Sequence, residues 1–184
     1  MTDTETDPVL HADEIHPTEA TCDLHVFENS LLGINPYVMF NVNVECEEID
    51  RVGSDEFDGT LEINIDGLNF EGQSWKDLET FNMQDTECFT EVGDPEVSVY
   101  FDTIHRRMGR LTVQVLQRRE NLVDLHIAVS EDIDNLGLDR FSLDVTAEFL
   151  GVSSALESKD VKTSDLIDLD GLTEESPGHW RIPR

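Results

Sequence analysis

Apolar and polar residues alternate along most of this chain, from Cys22 to Val152. Successive side chains of a β-strand point to opposite faces, so this alternation is typical of strands with one buried and one exposed face. The clearest case is the run over residues 37–47. Its predicted buried face consists of Val38, Phe40, Val42, Val44 and Cys46, and its exposed face of Asn41, Asn43, Glu45 and Glu47. The pattern predicts an all-β fold.

Further alternating runs fill the rest of this region. They span residues 61–65, 97–101, 111–115, 123–129 and 141–149. Short connections at residues 106–110 and 118–121 join the middle runs, and connections of this length favour antiparallel hairpins. With the stretches at residues 22–28 and 68–72, we expect seven or eight strands. The architectures that fit are an antiparallel sandwich, a barrel or a single jelly-roll barrel.

One segment departs from this alternation. Trp75, Leu78 and Phe81 are spaced three residues apart, which places their side chains on one face of a helix. Ser74 is a suitable N-cap, and Asp77 lies near the N3 position of the same turn. We therefore expect one short helix within residues 73–84.

The charge of the chain indicates its environment. Acidic residues outnumber basic residues by 41 to 12, which gives a net charge of −29. Such self-repulsion opposes folding in dilute buffer, whereas at about 1 M salt the Debye length falls to roughly 3 Å. The acids are spread along the chain, which indicates a protein of a salt-in halophile; a nucleic-acid mimic or a polycation-binding protein is the alternative. The scarcity of Lys and Arg disfavours direct nucleic-acid binding and headgroup binding through a polybasic patch.

Composition divides the chain into three parts. Residues 1–20 carry six acidic and no basic residues, and they predict an acidic N-terminal arm. Residues 21–152 form the predicted β-sandwich or jelly-roll domain, and residues 153–184 a C-terminal extension with an amphipathic piece around residues 156–172. We expect no membrane span, since no apolar run reaches the roughly eighteen residues required. The N-terminus lacks the pattern of a secretion signal.

The sequence offers little that is typical of catalysis. It has no G-x-S-x-G, H-E-x-x-H, Walker A or G-x-G-x-x-G motif, so we expect neither an enzyme nor a cofactor. The six histidines never occur two or four residues apart, the spacings that place two imidazoles on one face for a metal. The three cysteines, Cys22, Cys46 and Cys88, are predicted to be small buried residues, with one intermolecular disulfide as the alternative.

One loop resembles the opening of a calcium-binding EF-hand. Asp132 and Asp134 stand at its first and third positions, and Gly137 at its sixth. Leu136 and Leu143 occupy positions where further ligands belong. Because the flanks are predicted strands, we interpret this segment as an exposed loop, with a weak cation site at Asp132 and Asp134 as the alternative.

Five of the nine arginines lie at the two predicted hairpin turns. They are Arg106, Arg107, Arg110, Arg118 and Arg119. They form either local salt bridges to the chain's own acids or a subunit interface, because a guanidinium group pairs with a carboxylate through two parallel hydrogen bonds. Near the C-terminus, Trp180 either folds back onto the domain or docks on another subunit as an aromatic anchor.

These features together resemble a viral family. A chain of this length with an alternating core, an acidic N-terminal arm, an aromatic C-terminal arm and a halophilic composition looks like the smaller major capsid protein of the icosahedral, internal-membrane viruses of haloarchaea. The resemblance implies a single jelly roll that assembles with copies of itself and a larger paralogous capsid protein. It also implies a place in the virion shell around a membrane vesicle, after assembly in the host cytoplasm.

A second resemblance leads to a different function. The segment over residues 70–75, followed by Leu78, Phe81 and a three-strand meander, is similar to small bacterial immunity proteins that neutralise a toxin partner. It covers residues 60–150 and implies a protein-binding module of the haloarchaeal cytoplasm. Both resemblances predict a binding surface rather than a catalyst.

Overall fold

The computed structural model describes residues 9–49, 61–101 and 104–183. Within these ranges the chain forms ten β-strands and three short 3₁₀ helices. The strands are β1 (Pro17–Asn29), β2 (Ile34–Cys46), β3 (Leu61–Asn69), β4 (Asn82–Glu87), β5 (Glu96–Phe101), β6 (Ile104–Arg119), β7 (Leu122–Asp132), β8 (Phe141–Ala155), β9 (Thr173–Ser176) and β10 (His179–Arg181). The helices span Ala12–Glu14, Trp75–Thr80 and Thr163–Asp165. Nearly all strand pairs are antiparallel, which confirms the predicted all-β fold class.

Seven of the strands close into a barrel. β1, β2, β3, β5, β6, β7 and β8 follow one another around the wall, each antiparallel to the next. Because the number is odd, β1 and β8 run in the same direction, and their parallel pairing closes the wall. Consecutive strands of the wall are neighbours, so the order of the described strands is that of a meander barrel, without the Greek-key crossing of a jelly roll.

Three further strands extend this wall. β4 pairs with β6 beyond the residues of β6 that pair with β5. β10 pairs with β8, and β9 pairs with β10. The sequence does not predict these strands, because their residues are exposed or half-buried and so lack a clear apolar face.

Apolar side chains fill the barrel. All members of the predicted buried face of residues 37–47 are buried, and Phe40 and Val44 have no exposed surface. The three cysteines are free thiols within this core, as predicted from their isolated positions. Burial raises the pKa of Cys46 to about 12.

β6 changes the face that it buries. Its buried residues are even-numbered up to Met108 and odd-numbered from Leu111 onward. The change coincides with Glu131 on β7, which adopts a left-handed backbone conformation (φ 64°). Glu131 lies beside Gly109, where an added Cβ would come within 3.2 Å of its side chain. The break in alternation that predicted a turn at residues 106–110 is therefore a switch of faces within one continuous strand.

The helix at Trp75–Thr80 packs onto the barrel core through the buried side chains of Trp75 and Leu78. Ser74 is its N-cap, and the Asp77 carboxylate accepts a hydrogen bond from the Ser74 backbone N–H at 2.9 Å, as predicted. The helix is 3₁₀ rather than α because Trp75, Leu78 and Phe81 repeat every three residues, the period of a 3₁₀ turn.

The terminal segments pack against the barrel, unlike the arms predicted from composition. Residues 1–8 of the predicted N-terminal arm lie outside the described residues. Leu10 is fully buried, its N–H donates to the Gly137 carbonyl at 2.9 Å, and β1 already begins at Pro17. In the predicted C-terminal extension, Ile167 is buried and β10 joins the sheet. Apolar residues in these polar segments provide the contacts. None of the described helices has the length and hydropathy needed to cross a membrane.

Candidate functional site

Arg106 lies inside the barrel. Its side chain has no exposed surface, and Nη1 donates a hydrogen bond to the Phe101 carbonyl at 2.9 Å. The guanidinium carbon lies 4.9 Å from the centre of the Phe101 ring. A buried side chain cannot reach a neighbouring subunit, so the predicted interface role of Arg106 is corrected. The cause is the alternation of β6, which directs this residue inward.

Arg118 also belongs to the fold rather than to the surface cluster. Its guanidinium stacks on Trp75, 4.1 Å from the ring centre, and Trp75 in turn stacks on Phe149 at 5.7 Å. The Trp75 indole donates to the Asp170 carbonyl at 2.9 Å. Burial lowers the pKa of Arg118. The stack holds the half-buried Arg118 against the 3₁₀ helix of its own chain, which differs from the role at a subunit interface that was predicted for it.

The other three arginines of the predicted interface, of which Arg119 is exposed and Arg107 and Arg110 are half-buried, are bound to the chain's own acids. Arg107 pairs with Asp134 through two hydrogen bonds of 3.0 and 2.6 Å. Arg110 pairs with Asp85 through bonds of 2.7 and 2.8 Å. Arg119 donates to both oxygens of Asp124 at 2.8 Å. Of the two explanations of the cluster, the geometry favours local salt bridges.

These pairs change the acidity of their carboxylates. Hydrogen bonds from Arg107 and Arg110 lower the pKa values of Asp134 and Asp85, respectively. The pKa of Asp124 is lowered first by the Thr146 hydroxyl and then by Arg119. We name the outer surface of β6–β8 that carries these pairs the paired face.

Trp180 folds back onto its own barrel. It is half-buried against the core and lies opposite Val152 in the pairing of β10 with β8. Gly151 permits this approach, because its backbone is left-handed (φ 109°) and a Cβ there would overlap the Trp180 carbonyl oxygen. The structure therefore agrees with the first of the two predictions for Trp180, that it folds back onto its own domain.

The aspartates of the EF-hand-like segment are also engaged within the chain. Asp132 Oδ2 accepts hydrogen bonds from the N–H groups of Gly137 and Leu138 at 2.8 and 3.1 Å. Asp134 is bound to Arg107. The segment is a loop between β7 and β8, as interpreted from the sequence, and its carboxylates hold the loop together. No group of three or more potential metal ligands occurs in the described parts of the chain.

Comparisons with known proteins identify no relative. No protein-family model, no curated protein sequence and no solved structure matches the chain.

The opposite side of the barrel carries acids that have no basic partner in the described part of the chain. Glu19, Glu45 and Glu62 lie directly across from one another on β1, β2 and β3. Glu62 accepts a hydrogen bond from the Asn43 amide at 3.0 Å. None of the ion pairs found among the described residues includes these three glutamates. We name the outer surface of β1–β3 the acidic face.

A polar group lies where the acidic face meets β8. The Ser153 hydroxyl is 2.7 Å from His25 Nδ1 and 3.5 Å from Asp23 Oδ2. Burial raises the pKa of Asp23 and lowers that of His25. The sequence did not indicate this group, because parallel closure joins residues from opposite ends of the chain.

A recess of about 400 Å³ opens on the paired face. Its lining includes Arg110, Thr112, Ser130, Arg140 and Ser142. Arg140 is exposed just before β8. The sequence pattern did not indicate Arg140, because it is separated along the chain from the clustered arginines. Only the folded barrel brings it next to β6.

Proposed function

We propose that the protein is a structural subunit of a halophilic virus capsid, which assembles with copies of itself and with a larger paralogous capsid protein around an internal membrane. The proposed location is the virion, with assembly in the host cytoplasm. The all-β domain, its filled interior and the net charge of −29 support this proposal. It rests on these features rather than on strand order, since the described strands form a meander.

An exposed apolar turn carries the proposal that the protein assembles. Leu31 and Leu32 form the tip of the hairpin between β1 and β2, with exposures of 93% and 61%. Apolar surface in water costs about 25 cal/mol per Å² relative to burial, and salts that are excluded from protein surfaces increase this cost. Two adjacent leucines on a strongly acidic protein are thus suited to insertion into an apolar site of another subunit.

The hairpin holds this tip in place. The Asn29 side chain accepts a hydrogen bond from the Leu32 N–H at 3.1 Å. The Glu157 carboxylate accepts a bond from the Ser30 N–H at 3.2 Å and another from the Ser30 hydroxyl. These bonds fix the turn before any partner binds, so association loses less conformational entropy.

The experiment compares two leucine variants in about 3 M salt. Replacing Leu31 and Leu32 together by Ser should leave the near-UV circular dichroism unchanged, because both side chains are exposed. The yield of oligomers or particles in sedimentation should fall at least severalfold. Leu122→Ser is the control, since Leu122 is 38% exposed on the barrel wall. Equal yields for the double variant and wild type would contradict the assembly role of the tip.

A further inference from the structure

We propose that the recess on the paired face is an oxyanion site, in which Arg140 binds a carboxylate of a second copy of the chain. The recess lies across β6, β7 and the start of β8. Thr112 and Ala128 are cross-strand neighbours in it, and so are Ala128 and Ser142. These small residues leave room between the larger Arg110 and Arg140.

The free polar groups of the recess can donate hydrogen bonds to an anion. Arg140 makes no ion pair or hydrogen bond within the described chain, and neither the Ser130 nor the Ser142 hydroxyl has a hydrogen-bond partner there. Thr112 Oγ1 accepts a bond from the Asp85 N–H at 2.9 Å and retains its proton for donation. Several donors around one guanidinium group match the acceptor-only oxygens of a carboxylate, sulfate or phosphate.

Arg140 differs from four other arginines in the part of the chain that the structure describes. Arg107, Arg110, Arg119 and Arg181 each have a carboxylate partner within 4 Å. Asp85, the acid in the lining of the recess, is bound to Arg110. In a chain with 41 acidic residues, an arginine that faces a recess and has no acid partner within the described ranges is available to an external acid.

The acidic face of a second copy offers the matching group. Glu19, Glu45 and Glu62 have no basic partner among the described residues, and each would gain a charge-assisted hydrogen bond from Arg140. The acidic face and the paired face belong to different parts of the barrel wall, so the contact is head-to-tail and each copy uses both faces. This inference rests on the proposed function, because it assumes that copies assemble.

The first arm of the test measures self-association by sedimentation equilibrium in about 1 M NaCl. Arg140→Gln should raise the dissociation constant about tenfold or more, as expected for loss of a charge-assisted hydrogen bond. Replacing Glu19, Glu45 and Glu62 together by Gln should have a similar effect. Arg181→Gln is the matched control, because that exposed arginine pairs with Glu175, and its dissociation constant should stay within about twofold of wild type. Unchanged association in the triple variant would overturn the assignment of these glutamates.

The second arm separates a free oxyanion from a second copy. Sodium acetate and sodium sulfate are titrated at constant ionic strength while the Arg140 Nε–Hε signal is followed by NMR. If association does not depend on Arg140 but the signal shifts saturably, the recess is an oxyanion site and the second-copy source is wrong. If neither changes, the recess proposal is overturned. A wild type that never associates would instead contradict the proposed function, and the anion titration would still report on the recess.

Discussion

The two faces of the barrel hold their acids in opposite ways. On the paired face, Asp85, Asp124 and Asp134 each accept hydrogen bonds from an arginine. On the acidic face, carboxylates on neighbouring strands stand opposite one another, and directly opposed like charges destabilise a sheet. Acidic residues thus stabilise one face and destabilise the other. The net charge of the chain does not distinguish the two faces. We expect the salt dependence of folding to come mainly from the acidic face.

The largest expected effect concerns salt. Dialysis from about 3 M to about 0.1 M salt should abolish the near-UV circular dichroism, because screening by salt is lost. Replacing Glu19, Glu45 and Glu62 by Gln should lower the salt concentration at the midpoint of this transition. Asp85→Asn should raise it, because Arg110 then loses the carboxylate that it binds through two hydrogen bonds, and only Glu87 and Glu131 remain near it. A melting temperature that is the same at both salt concentrations would contradict the halophilic interpretation.

A second effect concerns the core beneath the acidic face. Phe40→Ala should cost about 3–5 kcal/mol of unfolding free energy, because a fully buried ring is replaced by a cavity. Asn41 points outward, donates to Asp23 at 3.1 Å and accepts from the Gly67 N–H at 3.1 Å. Asn41→Ala should therefore cost about 1 kcal/mol through lost hydrogen bonds. Denaturant unfolding in high salt measures both, and equal effects would contradict the register of β2.

The smallest expected effect is on the pH dependence of the free energy of unfolding. Its sign should differ between the two faces. Burial raises the pKa of Asp23 above the ordinary 3.8, so the folded protein keeps a proton that the unfolded chain has lost. The free energy of unfolding therefore decreases as pH rises through the interval above 3.8. Hydrogen bonds from Arg110 lower the pKa of Asp85, so its contribution is present above 3.8 and is lost as pH falls through the lower folded value.

Carboxyl-carbon NMR titration in high salt tests this difference directly. The midpoint of Asp23 should lie above that of Asp85. Asp23→Asn should also weaken the decline of stability with rising pH, since it removes the group that titrates. Midpoints in the reverse order would show that burial does not control the acidity of Asp23.

The sequence predicted those features that depend on neighbouring residues. Alternation identified the buried face of residues 37–47, and spacing together with capping residues identified the helix that begins at Trp75. Partners distant in sequence were not predictable in this way. Arg107 and Asp134 are 27 residues apart and meet only because β6, β7 and the following loop fold together. The continuity of β6 was missed because its buried face changes between Met108 and Leu111, beside the left-handed Glu131 of β7, and this change interrupts the alternation.

The parallel closure of the wall also constrains how the chain is made. β1 emerges from the ribosome early, whereas β8, which must pair with it, extends to Ala155. Contacts between such distant segments form late and slow the folding of β proteins. Until then, one edge of β1 stays unpaired and open to association with other nascent chains. Glu19 and Asp23 lie along this strand, and their charges would hinder that aggregation while synthesis is completed.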